Sequence, residues 1–250
     1  MSPCASNVLE IAAGALSSAL AAQQAGADRV ELCEGLESGG TTPSYGTLAM
    51  ARDRLRIPLF VLVRPRAGDF LYDAAEADVM LRDIECCVGL GCDGIVVGAL
   101  DAEGDVDQSL CRQFVSAAGA LPVTFHRAFD AVKDPAAALE RIIALGFARL
   151  LTSGGRATAM DGAENIAAHV RQSAGRIVVM PGAGINADSI GELAATTDAR
   201  EFHASAKSIR TSAMRFRAPA LAGLPSDWTE TDPGRVRALR AALDACARRD

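Results

Sequence analysis

Short runs of branched aliphatic residues alternate with longer, alanine-rich stretches along the whole chain. Apolar runs flanked by glycine or aspartate predict strands buried on both faces, and the longer stretches predict helices. Eight strands are predicted in this way: Val8–Ile11, Arg29–Cys33, Leu59–Arg64, Gly94–Val97, Val123–His126, Arg149–Thr152, Ile177–Met180 and Glu201–His203. Eight strand–helix units in 250 residues, about 31 residues each, match a closed (β/α)8 barrel.

The predicted helices begin at recognisable capping residues. Asp73 with Glu76 forms a capping-box pattern, and Asp134 and Asp232 each precede a first-turn proline. Residues 1–250 are therefore predicted to form one α/β domain, a TIM barrel. An open doubly wound sheet is the alternative, but the dinucleotide-like pattern at 182–187 lies in the seventh unit instead of the first. Residues 205–231 are predicted to be a long loop before the last helix, as is typical of a lid, a binding loop or an interface.

Polar residues recur at alternate positions of several predicted strands. In a barrel, alternate residues face inward, and the carboxyl ends of the strands carry the site. This parity predicts a charged cluster inside the upper rim of the barrel: Glu10, Arg29, Glu31, Arg64, Arg66, His126, Glu201 and His203. An unpaired charge in an apolar interior costs several kcal/mol, so these groups either pair in a buried network or line a solvated cleft. Their position at the carboxyl ends favours a binding or active site.

Two strand ends carry residues suited to anion binding. Gly182 and Gly184 follow the seventh strand, where the backbone N–H groups of a helix start bind an anion in many barrels, or where the glycines only form a tight turn. Arg64 and Arg66 end the third strand, and two guanidinium groups there suit a carboxylate or a phosphate. Pairing with the glutamates of the first two strands is the alternative for both arginines.

Two further patterns are candidates for chemistry. His126 has Asp130 within one turn, which either supports a general acid–base role or only holds His126 or Arg127 in place. Cys33 lies at a strand end among the polar cluster, and Met180 lies at another. Thiolate and thioether sulfur atoms are the ligands that Cu(I) prefers, so a copper site with Cys33 as its ligand is one hypothesis for this part of the barrel.

The amino-acid composition limits the classes of binding partner and the cellular location that are expected. The formal net charge is −6, which argues against nucleic acid or an anionic membrane surface as the main partner. The seven cysteines show no C-x-x-C spacing, so neither a disulfide scaffold nor a closed structural zinc site is expected. The apolar stretch from Ile11 to Ala27 lacks the basic start of a signal peptide. We therefore expect a cytoplasmic protein without a membrane segment.

Eight motifs follow one another along the chain: Leu9–Ile11, Gly26–Cys33, Gly39–Ser44, Arg64–Phe70, Thr124–Asp130, Leu151–Gly154, Gly182–Gly184 and His203–Ser205. Together they resemble the CutC family of copper-homeostasis proteins, over a match that runs from Val8 to Arg217. The resemblance implies a (β/α)8 barrel, a cytoplasmic and usually homo-oligomeric protein, and Cu(I) binding through cysteine, here Cys33. Members often carry a further cysteine directly after the Leu-Glu-Ile of strand one, where this chain has Ala12 and Ala13. Asp69 and Ser153 lie in matching motifs and join the candidate ligand-binding residues.

Three functions remain open from the sequence. The first is copper homeostasis, with Cys33 as the principal ligand and Met180 or His203 as assistants. The second is an enzyme that acts on a small anionic or phosphorylated metabolite at the carboxyl face of the barrel. For this enzyme, the residues expected to hold the anion are Gly182, Gly184 and Ser205. The rest of the substrate would be bound by Arg29, Arg64 and Arg66. The general base would be Glu10 or Glu31, and the general acid His126 or His203. The third is a non-catalytic assembly component that uses residues 205–231 as an interface.

Overall fold

The computed structural model describes residues 7–217, 221 and 224–247. Eight parallel strands form a nearly closed barrel, as predicted. They are β1 (Val8–Ala13), β2 (Arg29–Leu32), β3 (Leu59–Leu62), β4 (Gly94–Val97), β5 (Val123–Phe125), β6 (Arg149–Thr152), β7 (Val178–Pro181) and β8 (Glu201–Ala204). From β1 to β7 each strand pairs with the next in chain order, and β1 also pairs with β8. Only an isolated bridge between Gly182 and His203 connects the region of β7 to β8 among the described residues.

Eight helices surround the strands: α1 (Leu16–Gln24), α2 (Tyr45–Arg54), α3 (Ala74–Gly89), α4 (Gln108–Ala118), α5 (Pro135–Ala144), α6 (Ala163–Ser173), α7 (Ile190–Thr197) and α8 (Pro233–Ala247). The predicted caps are present. Asp73 and Glu76 complete a capping box at the start of α3, and Asp134 accepts a hydrogen bond from the N–H of Ala137 in α5. Asp232 accepts from the N–H groups of the second and third residues of α8 in the same way.

Alternate strand residues separate into an outer and an inner layer. Val30 and Leu32 of β2 belong to the large apolar core, whereas Cys33 packs with Phe60 and Leu62 in a separate small cluster. The intervening residues of β2, Arg29 and Glu31, are also buried and make their contacts with polar groups of other strands. The inward parity predicted for β2 is therefore what the structure has, and it brings charged groups into the barrel.

The predicted loop at 205–231 contains regular structure. Two short strands, β9 (Lys207–Arg210) and β10 (Trp228–Thr231), form an antiparallel ribbon, and an ion pair between Arg210 and Glu230 at 3.0 Å joins them. The ribbon escaped prediction because its strands are four residues long, largely polar and without a buried face to impose alternation. Within the described part of the chain, no helix has the length and apolarity needed to cross a membrane.

Candidate active site

A cavity of about 580 Å³ opens at the carboxyl ends of the barrel strands. Its lining combines apolar side chains with a concentrated set of polar ones. The polar residues are Glu31, Ser38, Arg64, His126, Arg127, His203, Ser205 and Lys207. A cavity of this size at this face is the usual place for the ligand of a (β/α)8 barrel.

A layer of ion pairs fills the barrel interior next to the cavity. Arg29 donates to Glu10 and, at 2.6 Å, to Glu201, and Arg149 donates to the same oxygen of Glu201 at 3.0 Å. Both guanidinium groups lie 5.0 Å from the ring centre of Phe60. Two carboxylates thus balance two guanidinium groups, which is the buried network expected as one alternative. Arg29, predicted to bind a ligand, belongs to this layer and does not line the cavity.

Glu10 positions His203. The fully buried Glu10 accepts from Arg29 with one oxygen, and its other oxygen lies 2.7 Å from Nδ1 of His203. Burial by itself raises the pKa of Glu10, but Arg29 and His203 outweigh it and hold the pKa at about 2. The ionised Glu10 therefore keeps a proton on Nδ1 of His203. Among the described residues nothing bonds to Nε2 of His203, so this nitrogen is available to the cavity.

Glu31 lies beside His203 in the cavity lining. Its Oε2 atom is 4.0 Å from Nδ1 of His203 and is buried without a hydrogen-bond partner among the described residues. Burial raises the pKa of Glu31 to about 7, although the charge of His203 opposes the rise. Burial lowers the pKa of His203, but the carboxylates of Glu31 and Glu10 outweigh it and raise that pKa above its ordinary value. Glu31 therefore gains or loses a proton near neutral pH, beside an imidazole whose Nδ1 proton is held by Glu10.

Arg64 is a buried cation without a carboxylate partner. It is 5% exposed and donates to the backbone carbonyl oxygens of Ser38, Gly40 and Gly68. None of the carboxylates that the structure describes forms an ion pair with it, and its Nε has no acceptor. The guanidinium lies 5.0 Å from the ring centre of Phe70. A positive charge at the wall of the cavity is thus left for a ligand to balance.

His126 packs against the same phenylalanine. The ring centres of His126 and Phe70 are 5.0 Å apart, and both residues line the cavity. Burial lowers the pKa of His126 to about 3, and the charge of Arg64 adds to the effect. His126 is therefore neutral at physiological pH. Its Nε2 is buried and has no hydrogen-bond partner in the part of the chain described.

Two turns after β7 and β8 bring backbone N–H groups to the cavity. Ala183 and Ala206 have φ of 92° and 46°, in the left-handed region that residues with a Cβ rarely adopt. Gly184 and Ser205 line the cavity, and no acceptor among the described residues bonds to their backbone N–H groups. Turns with left-handed residues form concave N–H sites for anions. Lys207 adds a cation to the same lining.

Several residues predicted at the site do not line the cavity, among them Arg66, Asp69 and Gly182. Arg66 pairs with Asp69 at 3.0 Å and with Glu76 at 2.5 Å on the partly exposed loop after β3. The parity argument failed there because β3 ends at Leu62 and the chain then turns, so alternation no longer determines direction. Gly182 is not part of the lining either; it donates to the carbonyl of Thr152, and a Cβ on it would collide with a neighbouring leucine.

Asp130 organises the loops after β5 and β6. Its carboxylate accepts from Arg127 Nε at 2.7 Å, from Thr152 Oγ1 at 2.6 Å and from the N–H and hydroxyl of Ser153. Of the alternatives weighed for Asp130, it holds Arg127 in place and makes no bond to His126. Ser153 is fully buried in this network and does not line the cavity.

Cys33, the predicted copper ligand, directly follows β2 and its thiol is enclosed. Its side chain is fully buried in the small apolar cluster, and the thiol donates to the carbonyl of Ala13. Burial, with the nearby charge of Glu31 adding to it, raises the pKa of the thiol far above its ordinary value. The thiolate that Cu(I) requires is therefore disfavoured. Met180, the proposed second sulfur ligand, accepts a hydrogen bond from Arg29 at 3.4 Å.

One cluster among the described residues brings three metal-ligand atoms within 4.8 Å of one another: Glu10, Glu31 and His203. Arg29 and His203 already engage both oxygens of Glu10. A cation held by all three would have to replace the proton between His203 Nδ1 and Glu10 Oε1, and the two carboxylates raise the pKa of His203 and so favour that proton. The cluster is better suited to moving a proton than to holding a metal.

Three cationic residues of this region were not predicted as site residues from the sequence. Arg127 and Lys207 line the cavity, and Arg149 completes the ion-pair layer. Arg149 shares its strand parity with Leu151, which lines the cavity, so alternation along β6 could have placed it inside the barrel. No comparable signal marks Lys207, because its position depends on the turn after β8.

Comparison with known proteins agrees with this architecture. The model of the CutC family matches residues 7–208. A CutC family protein of Xylella fastidiosa is 57% identical over 92% of this chain and 86% of its own length. The human copper homeostasis protein cutC homolog is 45% identical over 94% of this chain and 88% of its own. The crystal structure of a CutC protein from Streptococcus agalactiae superimposes with a TM-score of 0.77 at 32% identity, over 80% of this chain and 98% of that one. The chain therefore belongs to the CutC family.

Proposed function

We propose that this protein is an enzyme that carries out acid–base chemistry on a small anionic, phosphorylated metabolite in the cavity of the barrel. The observation that carries the proposal is Arg64, a buried guanidinium at the cavity wall without a carboxylate partner. Breaking a buried ion pair so that one charge remains typically costs about 3–5 kcal/mol. A fold that keeps such a charge beside a cavity is expected to gain its counter-ion from a bound anion.

The second support is the pair of turns after β7 and β8. The N–H groups of Gly184 and Ser205 and the side chain of Lys207 surround one part of the lining. Oriented N–H groups at this end of a barrel commonly hold a phosphate. Together with Arg64, they give the cavity an excess of positive groups that suits an anionic substrate, whereas Arg127 is already paired with Asp130.

The third support is the neighbouring proton-transfer pair. Glu31 has a pKa of about 7 and an unpartnered oxygen, and His203 has a raised pKa and a free Nε2. A group whose pKa lies near the working pH is an efficient general acid or base. Glu31 and His203 take these roles in the proposal, and Glu10 orients His203 without touching the substrate.

The names of relatives refer to copper homeostasis, and copper binding through Cys33 is the alternative function, which the site does not favour. The single strand-end thiol, Cys33, is buried, favours its protonated form and is not a member of the one convergent cluster of ligand atoms found in the described residues. Cellular copper homeostasis in this family is compatible with an enzyme whose activity affects copper tolerance indirectly. The described cysteines are free thiols, which supports a cytoplasmic location.

A thermal-shift screen tests the proposal. We expect phosphorylated metabolites to raise the melting temperature of the wild-type protein, and a ligand at 100 times its Kd adds about 2.7 kcal/mol, or roughly 5–10 °C. Arg64→Met should abolish the shift. The matched control is Arg176→Met, because Arg176 pairs with Glu140 on the surface, and it should keep the full shift. Equal shifts in both variants, or no shift with any anion, would contradict the proposal.

A further inference from the structure

The position of the proton on His126 follows from its hydrogen bonds. Nδ1 of His126 accepts a hydrogen bond from the N–H of Ala128 at 3.2 Å. A neutral imidazole carries one proton, so an accepting Nδ1 requires that proton to be on Nε2. His126 is buried and neutral, and Nε2 is its buried atom without a partner. His126 therefore presents a hydrogen-bond donor that no described group uses.

The surroundings keep this ring in one orientation. Phe70 packs on it at 5.0 Å, and a Cβ added to Gly98 would lie 2.8 Å from Nδ1, so the ring occupies the space that glycine leaves. Arg64 lies against the same Phe70 and keeps an unused Nε. A buried donor left unsatisfied costs about 1–3 kcal/mol. Both residues line the cavity and each keeps an unused donor, one neutral and one cationic, which suits a ligand group whose oxygen gains negative charge.

Such an oxygen arises when a proton is removed from the carbon next to a carbonyl group. A neutral imidazole is an effective donor to a carbonyl oxygen and to the enolate oxygen that replaces it, because it strengthens the hydrogen bond without giving up its proton. The required base is a carboxylate with an unpartnered oxygen. Glu31 has one in the same lining, Oε2.

We infer, on the basis of the proposed function, that the substrate is a phosphorylated hydroxy-aldehyde or hydroxy-ketone and that His126 donates to its carbonyl oxygen while Glu31 removes the adjacent proton. The electrons of the C–H bond form the C=C bond of an enediol(ate), and the carbonyl π electrons move to the oxygen facing His126 and Arg64. The proton passes to the carboxylate of Glu31. Its return to the neighbouring carbon, with exchange of the hydroxyl proton through His203, gives the isomer. The isomerisation conserves all atoms and electrons and needs no co-reactant.

Calorimetric titration with phosphoglycolohydroxamate, a mimic of a phosphorylated enediolate, tests the inference. We expect it to bind the wild-type protein about 100-fold more tightly than inorganic phosphate. His126→Phe should remove that advantage, and His126→Gln, which keeps a donor, should retain part of it. His169→Gln is the matched control: His169 is a buried histidine on α6 that packs on Phe129 outside the cavity, and its loss should change nothing.

The possible results distinguish a failure of the role inferred for His126 from a failure of the proposed function. If inorganic phosphate and the hydroxamate bind with equal affinity, the carbonyl-polarising role is wrong and the anion site stands. If neither compound binds, the proposed function fails as well. Nitrogen-15 NMR of the wild-type protein provides a readout that needs no variant: the inference requires a neutral His126 protonated on Nε2 at pH 7. An imidazolium, or a proton on Nδ1, would overturn it.

Discussion

Replacing Glu31 by glutamine should stabilise the protein at alkaline pH. The carboxyl group is buried, one oxygen lacks a partner, and burial raises its pKa from 4.5 to about 7. The folded protein therefore holds a proton that the unfolded chain has lost between these pH values, so the free energy of unfolding falls as the pH rises through this range. Each pKa unit corresponds to about 1.4 kcal/mol, so the loss amounts to about 3 kcal/mol above pH 7. The glutamine variant, which has no proton to lose at this position, escapes that loss.

Urea denaturation of the two proteins at pH 5 and pH 8 measures this difference. At pH 5 the folded wild-type protein carries a protonated Glu31, and the two proteins should have similar stability. At pH 8 Glu31→Gln should be more stable by up to about 3 kcal/mol. The pKa of His203 is also raised in the folded protein, so the stability that its protonation contributes is likewise lost as the pH rises. Glu103→Gln, on an exposed loop, is the control. Parallel stability curves for wild type and Glu31→Gln would refute the reasoning.

Three further predictions concern other parts of the molecule. Glu201→Gln should destabilise the protein by about 3–5 kcal/mol in urea denaturation, because Arg29 and Arg149 lose their shared carboxylate; a loss below about 1 kcal/mol would contradict the ion-pair layer. Cys33→Ala should leave the stoichiometry and affinity of Cu(I) binding, measured by titration, unchanged. If the variant binds one Cu(I) ion fewer than the wild type, the copper-site hypothesis is supported instead. We also propose that the exposed Trp228 of the ribbon lies in a homo-oligomer interface, so Trp228→Lys should lower the mass measured by light scattering, and an unchanged mass would refute this interface.

The barrel could be predicted because its signals are local and repeated. Each strand is a short apolar run, and the caps at Asp73 and Asp134 rest on interactions within four residues. Alternation along β2 brought Arg29 and Glu31 inside correctly, since the side chains of one strand must alternate. The same rule failed for Arg66, because the strand had ended before that residue.

The different roles of the charged residues inside the site could be assigned only from the three-dimensional structure. Sequence placed Glu10 and Glu31 in one cluster but could not tell them apart. Arg29 and His203 bind Glu10 and keep it ionised, whereas Glu31 is left with an unpartnered oxygen. Cys33 likewise had the right position in the sequence for a metal ligand, and only its packing against Phe60 and Leu62 shows that the thiol is enclosed. Pairings between strands distant in sequence decide such questions, and no local pattern encodes them.

A crystal structure of the protein with a phosphorylated ligand from the thermal-shift screen would test the central claim most directly. We predict that the phosphate lies at the N–H groups of Gly184 and Ser205, and that a ligand oxygen lies within hydrogen-bond distance of Arg64 and of Nε2 of His126. A ligand bound outside the cavity, with Arg64 still unpaired, would contradict the account.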